Sequence, residues 1–264
     1  MGKKLNNAPV YYTVAQVQFN PILNLDGYIS AIQAKMRGMH FPDFRQEVVQ
    51  QLVLPFGNGE QGKIAAPTLT PQTRYLFGDI PGNARFLLET NALSFQTTDY
   101  GTFEAFSGEL LAGLAIVHDA LHLDFVERIG LRYLDAVQPP EDGNSLRDYL
   151  VPEVLGLALR DGGQHQHSVS ETLVATPVGQ LVSRVLIRHG QIGLPLELSA
   201  LAPKIAPRFT QPSGLHAVID TDASSTQREA FDLDTVKSRL TALHGEIEKC
   251  FDAIVTEYAL NSWA

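Results

Sequence analysis

The sequence predicts an α+β protein, with mixed or antiparallel sheets, helices packed on one face, and a long C-terminal helix. Three observations lead there. Residues 10–19 alternate β-branched and aromatic side chains with polar ones at a period of two. Residues 102–121 and 233–261 instead space their apolar side chains by three and four, the helical period. The first half reads strand, helix, several strands, helix, strand, an order that suits an antiparallel or mixed sheet with helices on one side.

Along residues 10–19, Val10, Tyr12, Val14, Gln16 and Gln18 fall on one face, and Tyr11, Thr13, Ala15, Val17 and Phe19 on the other. Neither face is wholly polar, so this is an interior strand carrying selected polar groups, ended by Pro21. Residues 25–37 form a helix through Ile29, Ile32, Gln33 and Met36, with Gly38 as its stop. A strand is expected over 47–55 and an exposed Gly- and Pro-bearing connection over 58–71. Residues 74–79 and 84–95 read as two strands joined around Ile80-Pro81-Gly82-Asn83, a hairpin signal. The helix at 102–121 has Thr102 as its N-cap and Phe103, Phe106, Leu110, Leu114 and Val117 on one stripe. A strand over 125–137 is closed by Pro139-Pro140.

Residues 139–144 are the expected boundary between two α+β halves, 1–138 and 139–264, related or intimately packed, or else parts of one compact domain. Beyond it, 145–159 is helical with an interruption at Pro152, and 161–167 is a loop. Strands are expected at 169–176, 179–188 and 215–221, with a Pro-bearing stretch from 194 to 212 before the last. The closing helix carries Leu233, Val236, Leu240, Leu243, Ile247, Cys250, Ile254 and Tyr258 on one seam. At ~1.5 Å per residue it would reach about 40 Å.

The 264 residues, 44% of them hydrophobic, suffice for a sizeable core. No apolar run approaches the roughly 20 residues that cross a bilayer, and the basic start at residues 1–7 lacks an apolar segment behind it. A cytoplasmic protein with no membrane partner is expected. Cys250 is the sole cysteine, which excludes an intrachain disulfide or a thiolate zinc cluster. Net charge is −9, with 20 basic residues set against 29 acidic ones and no basic run longer than two. Nucleic-acid binding therefore has no support from charge.

Few residue groups carry chemistry. His118, His122 and Asp124 have a spacing that can hold a metal, but lack the glutamate of a zinc protease; the alternative is histidines favoured by a helix C-terminus. Asp220 and Asp222 place two carboxylates on one side of a strand, as in magnesium-dependent phosphoryl transfer; otherwise they end that strand, and Asp232 caps the last helix. His165, His167, Ser168 and Glu171 supply triad-type residues without a Gly-x-Ser-x-Gly elbow, so a solvated loop is the simpler reading. Cys250 reads as a buried structural thiol. Dinucleotide and P-loop glycine motifs are absent.

The strand Arg128-Ile129-Gly130-Leu131-Arg132-Tyr133 is the most unusual. Arg128, Gly130 and Arg132 point to one face, and Ile129, Leu131 and Tyr133 to the other. Arg128, Arg132 and Tyr133 are candidates for contacting an anion or a carboxylate-bearing partner. The alternative is that the arginines pair with Glu89, Glu104 or Glu109 across the sheet–helix layer.

Several stretches together resemble a sporadically distributed family of uncharacterised bacterial proteins. They are Leu5-x-x-Ala8-Pro9-Val10, Gln16-Val17-Gln18-Phe19, Leu88-Glu89-Thr90, Tyr100-x-x-Phe103-x-x-Phe106, Arg128 to Tyr133, Tyr149-Leu150-x-Pro152, Asp220-Thr221-Asp222 and the end at Trp263. Asp135 departs from that pattern, which commonly has Asn there. The resemblance brings no established catalytic residues to carry over, and no cofactor is expected. It implies a setting beside a neighbouring gene, as in phage-defence or toxin–antitoxin modules.

Without a complete catalytic constellation, the expectation is a non-enzymatic binding or assembly protein with a protein partner or self-association. The alternatives are a metal-dependent phosphoryl-transfer enzyme or nuclease built on Asp220 and Asp222, and a nucleic-acid sensor using Arg128 and Arg132.

Overall fold

The computed structural model describes residues 7–53, 68–140, 145–159 and 166–264. The chain runs β1 (Val10–Phe19), a 3-10 turn (Leu25–Tyr28), α1 (Ile29–Gly38), β2 (Asp43–Val53), β3 (Thr68–Gly78), β4 (Ala84–Glu89) and β5 (Ala92–Thr97). Next come α2 (Phe103–Leu121), β6 (Phe125–Val137), α3 (Leu146–Tyr149), α4 (Pro152–Leu155) and a second 3-10 turn (Gly156–Leu159). The remainder is β7 (His167–Thr176), β8 (Gly179–Gln191), α5 (Leu196–Ser199), α6 (Pro207–Thr210), β9 (Ser213–Ser225), β10 (Glu229–Ala230), α7 (Leu233–Ile254) and α8 (Glu257–Trp263).

Among the described residues these strands make one antiparallel sheet in the order β2-β3-β4-β5-β1-β6-β9-β8-β7, with β10 pairing the start of β6. The sheet passes without a break from β6 to β9, across the boundary expected at 139–144; residues 141–144 lie outside the described ones. The connection expected at 58–71 and His165 also fall largely or wholly outside them. No helix among the described residues is long and apolar enough to cross a membrane.

The helical stripes explain the layering. Ile29, Ile32 and Met36 of α1, Phe103, Phe106, Leu110, Leu114 and Val117 of α2, and Val236, Leu240, Leu243 and Ile247 of α7 pack on Ala15, Val17, Phe19, Ile129 and Leu131 of the sheet. Each fully buried large side chain contributes roughly 1.5–3 kcal/mol. A second cluster joins Val137, Val185, Ile187, Ala217 and Ile219 to α3, α8 and the end of α7. On the opposite face, Tyr11, Tyr12, Leu134, Ala136 and Val218 are covered by Ile192, Phe209 and the strap between β8 and β9. Thr102 caps α2 as expected, its Oγ1 accepting from the Ala105 N–H at 3.2 Å. Asp232 caps α7, accepting from the Thr235 N–H at 2.7 Å.

Four expectations are corrected. The single strand over 84–95 is two, because the chain turns at Thr90-Asn91 and pairs β4 with β5. The last helix breaks after Ile254: Val255 is extended and bridges Leu150, and Thr256 opens α8 by accepting from the Ala259 N–H. Strict alternation fails at the start of β1, where Val10 faces Asp135 but Tyr12 faces Leu134. Tyr11 is the extra residue of a bulge, and both tyrosines join one cluster. The strand carrying Asp220 and Asp222 continues to Ser225, so they sit inside it rather than ending it.

Candidate partner-binding face of the sheet

Because Ile129, Leu131 and Tyr133 turn toward the helices, Arg128, Gly130 and Arg132 turn away from them. The register then assembles a polar surface at the centre of the sheet. Gln18 lies opposite Arg128, Gln16 opposite Gly130, and Arg132 opposite Asp222. Asp220 lies opposite Arg184, which lies opposite Glu171.

Arg132 grips Asp220 with a two-pronged contact. Nε donates to Oδ1 and Nη2 to Oδ2, both at 2.7 Å. Nη2 also reaches Glu197 of α5 at 3.0 Å. Arg184 Nη1 stands 3.6 Å from the same Asp220 carboxylate, whose side chain is only 3% exposed. Burial alone would lower the Arg132 pKa, but its hydrogen bonds and attraction to Asp220, with help from Glu197, hold it above the ordinary arginine value. This pair is a fixed, charge-neutral floor.

Beside that floor stand two charges that form no close contact with an opposite charge among the described residues. Arg128 has no hydrogen bond or ion pair among the described residues. Its guanidinium lies over Gly130, where an added Cβ would meet Nη1 at 2.8 Å, so the glycine makes room for it. Asp222, half-buried, likewise has no hydrogen bond or ion pair among the described residues. Burial raises its pKa, opposed by Arg132 and Arg128. Gln18 Nε2 donates to Gln16 Oε1 at 3.0 Å, and Gln16 Nε2 to Ser94 Oγ at 3.2 Å, which extends the polar floor onto β1 and β5. One side is walled by the strap, tied down by Arg85 to the Leu201 carbonyl, Tyr11 to that of Gly193, and Gln138 to that of Phe209.

The other candidates are dispersed. Tyr133 is on the helix side, away from Arg128 and Arg132. The arginines' acids are not Glu89, Glu104 or Glu109: Glu89 pairs with Arg74, and α2, which carries the other two, lies across the sheet. His118 stacks on Phe231 at 4.3 Å, and His122 is the exposed left-handed cap of α2 at φ 52°. Asp124 accepts from Asn20 at 3.1 Å. Among the described residues, no group of three or more His, Cys, Asp or Glu is placed to hold a metal ion. His167 and Ser168 open β7, opposite Arg188 and Ile187, and Glu171 is held by Arg184. Cys250 is half-buried between the two helix-side clusters.

Sequence reasoning missed Arg184 and Glu197. Alternation in β8 could have placed Arg184 outward, but nothing local links Glu197 to Arg132, 65 residues away. No protein-family model matches this chain, and none of the curated proteins matches it either.

Proposed function

We propose that the protein is a non-enzymatic binding and assembly protein whose central sheet face docks a protein partner. The observation that carries this reading is the pair Arg128 and Asp222, both half-buried and both without a hydrogen bond or ion pair among the described residues, beside a satisfied Arg132–Asp220 contact. Half-buried charges normally find partners within the fold. One of each sign, neither in close contact with an opposite charge, suits a surface of complementary charges, which sets register and specificity. Asp220 is engaged by two guanidiniums, so the face is organised for contact more than for catalysis.

The connectivity supports a further part of this reading, that the halves are related units. In each, an antiparallel meander returns its last strand beside the first, β5 beside β1 and β9 beside β6, before a long helix follows. The polar face then sits where the halves meet. The resemblance carried by residues 128–133 makes the neighbouring gene's product the first partner to test.

The experiment is affinity purification from the native host, wild type against Arg128→Glu, with sedimentation to detect self-association. A stoichiometric partner or a second copy held by the wild type and lost by the variant, at unchanged melting temperature, supports the reading. A wild type that sediments as a lone monomer, or a variant that retains its partner, overturns it.

A further inference from the structure

The two ends of the sheet are built differently. β2 closes one end, and Asp43, Arg45 and Glu47 stand at alternate positions along it. Such charges discourage a further strand from pairing there. β7 closes the other end and pairs only with β8 among the described residues. Alternate main-chain N–H and C=O groups along its outer edge therefore have no strand to bond. From Ser168 to Thr176 it holds no proline, no lysine and a single charge, Glu171, which Arg184 engages. It exposes apolar side chains instead, with Leu173 63% and Val174 43% exposed. Leu173 lies beside Val182 on the outward side of the sheet, and Val174 beside Leu181 on the helix side. The second 3-10 turn and α4 approach β7, yet every residue from Glu171 to Ala175 is exposed.

The residue pattern says what covers this edge. A strand can pair antiparallel with a second copy of itself about a two-fold axis normal to the sheet, which keeps each face of the sheet continuous. An axis at Glu171 would set two carboxylates against each other, and one at Thr172 would set Glu171 against Leu173. With the axis at Leu173, the two leucines meet, Val174 faces Thr172, and Glu171 faces Ala175. In that register no like charges are opposed, and the paired stretch, Ser170 to Thr176, spans the most exposed part of β7. Pro177 ends it. Such a pairing leaves only the charged β2 strands at the ends of the joined sheet, so assembly stops at two.

We propose that the protein forms a two-fold dimer in which β7 pairs antiparallel with β7 of a second copy about Leu173. The contact uses none of the residues of the partner-binding face at the centre of the sheet. It sets the central faces of both copies on the same side of the joined sheet.

The test is sedimentation equilibrium of the purified full chain across a concentration series, with hydrogen exchange of the β7 amides. The wild type should dimerise, and its β7 amides should exchange more slowly as the dimer forms. Leu173→Lys sets two ammonium groups together at the axis and should weaken the dimer by about a hundredfold. Its melting temperature as a monomer should match that of the wild-type monomer, because Leu173 is exposed within the single chain. Ala175→Glu should weaken the dimer and Ala175→Lys should not, since each stands opposite Glu171 of the second copy. Arg128→Glu should leave this dimer intact while losing whatever the central face holds in affinity purification, so the two readings fail separately. A monomeric wild type, a Leu173→Lys dimer as stable as that of the wild type, equal dimers from the two Ala175 variants, or a dimer lost in Arg128→Glu overturns the proposal.

Discussion

Replacing Asp135 by Asn tests the interior of this protein at its most exposed weakness, a carboxyl with nothing to answer its charge. Burial raises its pKa from 3.8 to about 7, and no other cause contributes. The folded state therefore holds a proton that the unfolded state releases between about pH 4 and pH 7, so stability falls as pH rises through that window. Three pKa units at about 1.36 kcal/mol each put the full loss near 4 kcal/mol above pH 7, an upper figure because the core can relax. Asn has the same shape and no charge, so the variant loses this dependence. Urea unfolding at constant ionic strength is the assay. With a slope near 3 kcal/mol/M, the wild-type midpoint should drop by about 1 M relative to the variant between pH 4.5 and pH 8. If the two midpoints move in parallel over that range, the carboxyl is not buried unpartnered, and the reasoning fails.

Three further outcomes are expected. Arg132→Ala leaves Asp220 with only Arg184 nearby and should cost about 3–5 kcal/mol by calorimetry; Arg132→Lys should recover part of this, because it restores the charge without the fork. Gly113→Ala drives a methyl to 2.3 Å from Phe86 and should destabilise by about 1–3 kcal/mol in denaturant titration. Gly108→Ala on the same helix meets nothing within 4 Å and should instead gain up to about 1 kcal/mol. Thr102→Ala removes the cap of α2 and should cost about 1 kcal/mol in the same titration.

What could be read from the sequence was what local spacing decides. β6 begins and ends where its alternation and the Pro139-Pro140 stop place it, and α2 starts at its cap. Signals of the same kind went unused: Asn91 marks the turn that splits β4 from β5, and Thr256 has the side chain of an N-cap. The break at Val255 has a second cause that was not legible, its bridge to Leu150 more than a hundred residues earlier. Arg132 and Asp220 were each conspicuous, yet nothing local says that they meet across 88 residues of chain. Asp135 is the harder case. In the sequence it is one more carboxyl at the end of a strand, and its meaning comes from what the fold omits around it.

The outward polar face and the polar groups of the interior follow from one feature of β1, β6 and β9. Each of these central strands carries polar residues on both faces, where a purely structural strand would keep at least one face apolar. Arg128, Arg132, Asp220, Asp222, Gln16 and Gln18 look outward, whereas Thr13, Tyr133, Asp135 and Thr221 look toward the helices. Outward, the fold satisfies Arg132 and Asp220 and leaves Arg128 and Asp222 without a hydrogen bond or ion pair; inward, among the described residues, it closes over Thr13, Thr221 and Asp135 without hydrogen-bonding their side chains. Burying such groups at the middle of a sheet costs stability that edge strands would not have to give up. Their concentration there, on strands held from both sides, fixes the geometry of these groups, which is what the proposed docking of a partner requires.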